Sequence, residues 1–414
     1  MKRRDFMKTG LTSLMASSVL KPLHSAQGKL ARVAVPLPKR AYNDQVSLSV
    51  IGFGGIVVVG LSQKEADAVV TSSFERGVNY YDVAPSYWDG EAEEKLGKAL
   101  QPYRKQVFLA CKTMERSAKG AEQELRTSLK RIGTDYFDLY QFHAVTEMDE
   151  VNQIFAPGGA METFLKAREA GKIRYIGFSA HSEMAALAML DRFKFDSILF
   201  PINFVCYYRG NFGAKVIQKA IENGTARLAL KMFAYSPWQE GSEKTYPKCW
   251  YQPVDQPELA LKALRFTLSE DITAAIPPGE GKLYAMALEL APQFTMLSAE
   301  ERKEMILSSI DNSMKQRIQI YFIPDLENHI KWIELIDTLV PKFDIVFTND
   351  ELTRHLYSKR DVEVLSIPFV KRDILSGTNI RNLIISDQNW EDLVPEGTKN
   401  FLYKTSAKQR LKNL

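Results

Sequence analysis

The stretch VFLACKTMERSAKGAEQELRTSLKRIGTDYFDLYQFH, residues 107–143, contains the repeating unit on which the fold depends. Residues 107–112 form an almost continuous apolar run, residues 121–132 have the period of an amphipathic helix, and residues 137–143 form a second apolar run. Apolar strands separated by a helix are typical of a parallel sheet with helical crossovers. This stretch therefore predicts a strand–helix–strand unit.

The same alternation extends from about residue 46 to residue 294. The predicted strands are 49–58, 78–82, 107–112, 137–143, 175–179, 197–203, 228–233 and 272–277, and the predicted helices include 64–76, 121–132, 160–170, 214–222 and 257–269. Eight such units in roughly 250 residues predict an α/β protein built as a (β/α)8 TIM barrel. An open dinucleotide-binding sheet is less well supported, because the GFGG at residues 52–55 lacks the G-x-G-x-x-G spacing.

Composition excludes several other classes of protein. The chain has 414 residues, of which 45% are hydrophobic, and its 54 Lys and Arg against 50 Asp and Glu give a net charge of +4. This balance predicts no nucleic-acid partner. The three cysteines form no C-x-x-C pair and only five histidines are present, so we expect neither a disulfide scaffold nor a metal site. Oligomeric state is left open.

Four ionisable residues follow the predicted strands at their carboxyl ends, where barrel enzymes carry their chemistry. They are Asp82, Tyr87, Lys112 and His143. Each has a structural explanation by itself: a helix cap, a loop anchor, a solvated strand end and a half-buried side chain. Their convergence on one rim of one barrel favours a catalytic role for the group.

These residue types suit the reduction of a carbonyl. Hydride transfer to the carbonyl carbon leaves negative charge on the oxygen, which needs a proton donor. We expect Tyr87 to be that acid, with Lys112 lowering its pKa, Asp82 pairing with Lys112, and His143 donating a hydrogen bond to the oxygen. The hydride must come from a cofactor.

Three motifs resemble the aldo-keto reductase family. They are GVNYYDVAPSY with GEAEEKLG (77–87 and 90–97), DYFDLY (135–140) and GKIRYIGFS (171–179), and the resemblance covers about residues 41–294. It implies a catalytic tetrad of Asp82, Tyr87, Lys112 and His143. It also implies an NADPH site, with NADH as the open alternative, whose residues are Gly54, Gly55, Ser179, Asn203, Pro278, Gly279 and Lys282.

This sequence departs from the family pattern at two points. Ala180 stands where many members have asparagine, which removes one contact to the nicotinamide carboxamide. Glu280 would repel a 2′-phosphate that Lys282 could bind.

The N-terminus resembles a twin-arginine signal. MKRRDFMK is followed by an uncharged stretch that is too short to span a membrane. We therefore predict a signal peptide at residues 1–26 and export by the twin-arginine machinery, to the periplasm or the outer face of the cytoplasmic membrane. The cleavage site is left open, and so is the simpler possibility of a basic, frayed terminus.

We expect the barrel to span residues 41–305. The region that follows the barrel has a different sequence pattern. Residues 318–323, 343–347 and 362–368 predict strands, and residues 330–339 predict a helix. YFIPD (321–325), FDIVFTN (343–349), SGTNIR (376–381) and WEDLVP (390–395) resemble archaeal-type nicotinamide mononucleotide adenylyltransferases. The resemblance implies a partial Rossmann-like segment at 315–414. Its nucleotide-binding residues would be Trp332, Ser376, Gly377, Thr378 and Arg381.

None of the five histidines lies in the H-x-G-H motif of that family, and we expect its first two strands to have no counterpart. Adenylyl transfer by this chain alone is therefore not expected. Two further hypotheses stay open: a nucleotidyltransferase completed by a partner chain, and a non-catalytic dinucleotide-binding redox sensor. The main prediction is an NAD(P)H-dependent carbonyl reductase acting on a small molecule.

Overall fold

The computed structural model describes residues 36–208, 212–239, 241–308, 317–323, 329–348, 351–366 and 383–384. The chain divides into two compact units, Met1–Ser309 and Ile310–Leu414. The last helix assigned to the first unit is Ala299–Ser308, which is joined to the preceding region by an ion pair between Arg265 and Glu301.

The first unit is a barrel of eight parallel strands. In spatial order these are β3 (Phe53–Gly54), β4 (Tyr80–Asp82), β5 (Phe108–Thr113), β6 (Phe137–Val145), β7 (Ile173–Ala180), β8 (Ser197–Pro201), β9 (Ala226–Leu230) and β12 (Ala274–Ile276). The Gly52 amide donates to the Ala275 carbonyl at 2.9 Å, and the Ala275 amide donates to Val50 at 2.9 Å. These bonds join the two ends of the sheet, so the barrel closes.

Helices surround the barrel, and two short antiparallel strand pairs belong to the same unit. The helices of this unit are α1 (Gln63–Glu75), α2 (Glu91–Leu100), α3 (Ala118–Ile132), α4 (Met148–Phe155), α5 (Ala160–Glu169), α6 (Glu183–Arg192), α7 (Phe204–Tyr208), α8 (Ala214–Glu222), α9 (Pro257–Ser269), α10 (Gly281–Leu290) and α11 (Ala299–Ser308). Two antiparallel pairs lie outside the barrel: β1 (Lys39–Ala41) with β2 (Ser47–Ser49), and β10 (Ala234–Pro237) with β11 (Tyr251–Pro253).

Helix α3 shows how local sequence sets the element boundaries. The Ser117 side chain accepts a hydrogen bond from the Gly120 amide at 3.2 Å, which satisfies a donor at the start of the helix. Gly133 ends the helix in the left-handed region, with φ of 73°, a conformation that glycine adopts without steric cost. Ala121, Leu125, Ser128 and Ile132, which recur every three or four residues, are buried on one face of the helix.

The predicted alternation of strands and helices is confirmed, with one correction at the first barrel strand. The expected strand 49–58 is instead a two-residue strand, β3, followed by a 3-10 helix over Gly55–Val58. The Lys248 ammonium donates to the carbonyls of Ile56, Val57 and Val59, at distances down to 2.7 Å. Carbonyls of consecutive residues point in opposite directions in a strand, so the convergence of these carbonyls on one cation is incompatible with extended backbone. A period of apolar residues does not reveal this arrangement.

The second unit contains a parallel strand pair. Helix α12 (His329–Leu339) precedes β13 (Ile345–Phe347), and α13 (Glu351–Tyr357) connects β13 to its parallel neighbour β14 (Glu363–Leu365). The expected strand at residues 318–323 is wrong, because these residues have no regular secondary structure. Helix α13 was not predicted.

Several predicted features lie outside the described residues. They include the signal at residues 1–26 and four residues of the predicted nucleotide site, namely Ser376, Gly377, Thr378 and Arg381. Trp332 is described, and lies half-buried in α12. No helix within the described ranges has both the length and the apolar character needed to cross a bilayer.

Candidate active site at the barrel mouth

Asp82, Tyr87, Lys112 and His143 lie together at one end of the barrel. Asp82 is the last residue of β4, Lys112 is the penultimate residue of β5, and His143 lies near the end of β6. Tyr87 follows β4 in the loop before α2. Because neighbouring parallel strands present their carboxyl ends at the same edge, the chain order brings all four side chains to one rim.

Asp82 and Lys112 form a fully buried ion pair at the base of the site. Their side chains are 2% and 1% exposed, respectively, and the ammonium contacts Asp82 Oδ1 directly. Asp82 Oδ2 accepts hydrogen bonds from Gln141 Nε2 at 3.1 Å and from the Tyr80 hydroxyl at 3.3 Å. Burial by itself lowers the pKa of Lys112, but the charges of Asp82 and Tyr87 outweigh burial and raise it above its ordinary value. Lys112 is therefore a permanent cation.

Tyr87 places its hydroxyl against this cation. Lys112 Nζ donates to the Tyr87 hydroxyl at 3.2 Å and also to the Val83 carbonyl at 3.2 Å. Burial raises the pKa of Tyr87, whereas Lys112 opposes the rise. Lys112 lowers the pKa of Tyr87 as expected, but burial raises it by more, so a net lowering of the pKa is not found. Tyr87 consequently holds its proton at neutral pH.

His143 completes the group beside Tyr87. The two rings meet edge to face, with centroids 5.8 Å apart. His143 Nδ1 lies 3.3 Å from the Ser86 hydroxyl oxygen, and the His143 carbonyl accepts a hydrogen bond from Arg116 at 2.6 Å. Burial and the positive charge of Lys112 lower the pKa of His143 well below its ordinary range, so the imidazole is neutral. If Ser86 donates to Nδ1, the ring proton is on Nε2, where it can be donated to a ligand.

Comparisons with known proteins relate the barrel and the C-terminal region to two different families. Residues 50–242 match the model of the aldo/keto reductase family. The solved structure of aldo-keto reductase AKR11C1 from Bacillus halodurans, in its holo form, is similar with a TM-score of 0.53 and 25% identity, over 65% of this chain and 95% of that one. Nicotinamide-nucleotide adenylyltransferase from Pyrococcus abyssi is 32% identical over 165 residues, which are 40% of this chain and 84% of that protein. The enzyme from Thermococcus sibiricus is 32% identical over 166 residues, or 40% and 85%.

The C-terminal region belongs to the nicotinamide-nucleotide adenylyltransferase family, and the barrel is similar to the aldo/keto reductase family.

The similarity of the barrel to aldo-keto reductases supports an oxidoreductase that uses a nicotinamide cofactor. The sequence likeness to the adenylyltransferases extends further than the predicted segment 315–414, because 165 aligned residues exceed the length of the second unit, 310–414. Upstream of that unit the chain is nevertheless barrel: β12 pairs in parallel with β9, and α9 and α10 flank it.

Two of the residues expected to hold the nicotinamide carboxamide lie buried beside the tetrad. Ser179 is near the end of β7, and its hydroxyl oxygen accepts a hydrogen bond from the Ala144 amide at 2.8 Å. Asn203 follows β8, and its Oδ1 accepts from the Cys206 amide at 2.9 Å. Ser179 thereby keeps a hydroxyl proton that it can donate. A hydroxyl and an amide at neighbouring strand ends are chemically suited to hold a carboxamide.

The glycines expected near the cofactor have packing roles that the structure makes visible. A Cβ at Gly55 would lie 2.8 Å from a methyl group of Val83, and one at Gly279 would lie 2.3 Å from Ile56. A Cβ at Gly54 would lie 3.1 Å from Ile276. Close approach of the backbone therefore accounts for these glycines without a ligand. Pro278, which precedes Gly279, is buried.

The cluster around Glu280 bears on the choice of cofactor. Lys282 is exposed in the first turn of α10, as a residue that binds a phosphate should be. Glu280 Oε1 accepts a hydrogen bond from the Lys248 amide at 2.7 Å. The carboxylate that was expected to repel a 2′-phosphate is thus engaged with the chain's own backbone and lies close to the Lys248 cation.

Sequence reasoning missed several residues that support the site. Gln141 orients Asp82, and it lies two residues before His143 on the same face of β6. That spacing is a signal which could have identified it. His181 and Lys231 lie outside the motifs of the resemblance, and no spacing in the sequence identifies them.

A groove of about 830 Å³ lies elsewhere on the barrel and contains none of the predicted residues. It runs between α3 and α5, on the outer layer of helices, and five basic residues are among those that line it: Lys119, Arg126, Lys130, Lys166 and Lys172. The groove is separate from the chemistry of the barrel mouth.

Proposed function

We propose that the chain reduces aldehyde or ketone carbonyls of small molecules with NADPH, and that Tyr87 is the general acid. One observation carries this proposal: a buried ammonium, Lys112, touches both the Asp82 carboxylate and, at 3.2 Å, the Tyr87 hydroxyl. A purely structural role, as an exposed strand-end lysine for Lys112 or a loop anchor for Tyr87, would not require these contacts.

The cofactor, when bound, supplies the hydride, and the chain's own residues manage the charge that results. As the carbonyl oxygen becomes negative, Tyr87 donates its proton to that oxygen. The resulting phenolate is stabilised by Lys112, whose charge Asp82 holds in place. Tyr87 is protonated at neutral pH; burial raises its pKa and weakens it as an acid, and Lys112 offsets part of that rise.

His143 orients the carbonyl in this scheme. A neutral imidazole donates one hydrogen bond without adding a second cation beside Lys112. Its low pKa, caused by burial and by Lys112, keeps it in that form. A protonated His143 would compete with Tyr87 as the proton donor, so the electrostatics of the site favour a single acid.

NADPH is the cofactor that we propose, since Lys282 is exposed at the start of α10 and Glu280 is engaged by the Lys248 amide. Backbone amides at the start of this helix add to the attraction for phosphate. The test is to follow the oxidation of NADPH and of NADH by absorbance against a panel of carbonyl compounds. Turnover supports the proposal, whereas cofactor binding without turnover of any carbonyl would favour the redox-sensor hypothesis.

We further propose that the chain is exported folded by the twin-arginine route, on the basis of MKRRDFMK at its start. Adenylyl transfer by the chain alone is not favoured, because none of its five histidines lies in an H-x-G-H motif. Formation of the dinucleotide from ATP and nicotinamide mononucleotide would overturn that judgement.

A further inference from the structure

Lys231 occupies an unusual position at the mouth of the barrel. It follows directly after β9, and its φ of 63° lies in the left-handed region, which side chains other than those of glycine, asparagine and aspartate seldom adopt. A long cationic side chain is thus held at a strand end by a backbone conformation that its type does not prefer. The barrel mouth is also where the tetrad lies, so this placement concerns the site of the proposed chemistry.

The described contacts of the Lys231 ammonium are an imidazole and an indole ring. The ammonium lies 3.2 Å from His181 Nδ1 and 4.5 Å from the centroid of the Trp250 ring. Within the described part of the chain, no carboxylate forms an ion pair with it. Burial lowers the pKa of Lys231 to about 8, which leaves it charged at neutral pH. It is a partly desolvated cation that a negative ligand would stabilise.

His181 is the hydrogen-bond partner of this cation. Burial and the charge of Lys231 lower the pKa of His181 to about 4, so the ring is neutral. Lys231 must donate to Nδ1, because an ammonium can only donate, and the proton of the ring is therefore on Nε2. His181 lies two residues after Ser179, and its backbone amide donates to the carbonyl of Val145, two residues after His143, at 3.3 Å.

We infer that the Lys231 ammonium and the Nε2–H of His181 form an anion-binding position that recognises a carboxylate carried by the carbonyl substrate. This inference rests on the proposed function and narrows its substrate to oxo-acids and formyl-acids. The indole of Trp250, which is 69% exposed, flanks the ammonium and would cover the carbon skeleton of such a substrate. The same two donors would also suit the pyrophosphate of the cofactor, so the experiment must distinguish the substrate carboxylate from that pyrophosphate.

The experiment compares 4-carboxybenzaldehyde with its neutral methyl ester in the wild type, in Lys231→Met and in Lys231→Arg. Lys215→Met serves as the control, since Lys215 is an exposed lysine of α8. In Lys231→Met we expect KM for the acid to rise about 10- to 100-fold, with KM for the ester changed less than about 3-fold. Lys231→Arg should restore much of the preference, because it retains the charge.

The dissociation constant for NADPH, measured from the quenching of protein fluorescence, distinguishes the alternatives. We expect the same value in the wild type and in Lys231→Met. A weaker NADPH complex together with equal losses for acid and ester would assign Lys231 to the pyrophosphate and overturn the inference. Equal KM changes for both substrates, with NADPH binding intact, would overturn it as well.

A binding measurement without turnover separates this inference from the proposed function. Calorimetric titration of the complex with NADP⁺ should show that 4-methylbenzoate binds the wild type and not Lys231→Met, whereas 4-methylbenzamide binds neither well. Carboxylate binding without any carbonyl reduction would refute the proposed reductase and keep the anion site. Carbonyl reduction without selective carboxylate binding would refute the anion site alone.

Discussion

Replacing Asp82 by Asn leaves the Lys112 ammonium buried without its negative partner. Lys112 is 1% exposed and cannot turn to water, and the Asn amide would meet two other donors, Gln141 and Tyr80. Removing one partner of a buried ion pair costs about 3–5 kcal/mol, which is a large part of the stability of an ordinary domain. We therefore expect Asp82→Asn to lower the urea midpoint of the barrel strongly and to abolish most carbonyl reduction.

The assay is urea unfolding of the full chain followed by circular dichroism. The chain has two units, so the barrel transition is identified as the one that the substitution moves. Lys112→Met and the double variant complete a thermodynamic cycle, and the double variant should be more stable than Asp82→Asn because no charge is then left unpaired. If Asp82→Asn lowered the free energy of unfolding by less than about 1 kcal/mol, the effect would be typical of an exposed pair and would contradict the predicted cost of leaving Lys112 buried and unpaired.

Three further predictions concern the proton, the cofactor and the N-terminus. Because the pKa of His143 is lowered and that of Tyr87 is raised, kcat/KM for a neutral carbonyl should be flat between about pH 6.5 and 9 and fall only at higher pH; an acidic limb centred near about pH 6.5 would contradict the neutral imidazole. Lys282→Gln should weaken NADPH binding about 10-fold or more and leave NADH binding unchanged, and equal effects on both cofactors in fluorescence titrations would contradict the assignment of Lys282 to the 2′-phosphate. Residues 1–41 should carry a folded fluorescent reporter out of the cytoplasm, and the same segment with Arg3→Lys and Arg4→Lys should not. Equal export by both segments would refute the twin-arginine route.

The barrel was predictable because its strands are apolar on both faces and its helices have a clear period. The stretch 107–143 shows this, since β5, α3 and β6 lie within one to three residues of the predicted bounds. The first strand was not predictable in the same way. The 3-10 helix at Gly55–Val58 depends on carbonyls that bind Lys248, a residue almost 200 positions away in the chain.

The candidate site was predictable where residues follow a strand end and match a motif. The pairing of Asp82 with Lys112 and the contact of Lys112 with Tyr87 follow from strand order. The direction of the pKa of Tyr87 did not follow, because burial depends on the whole surrounding structure. Lys231 shows the same limit, because the sequence reveals neither its left-handed backbone nor the lack of an ion-pair partner among the described residues.

The most direct test of the reductase assignment is Tyr87→Phe, assayed for NADPH binding and for carbonyl reduction on the same preparation. The substitution removes only the hydroxyl that Lys112 contacts. We expect an unchanged dissociation constant for NADPH and a loss of about 10²- to 10⁴-fold in kcat, since the general acid is gone. A variant that reduces carbonyls at the wild-type rate would contradict this expectation.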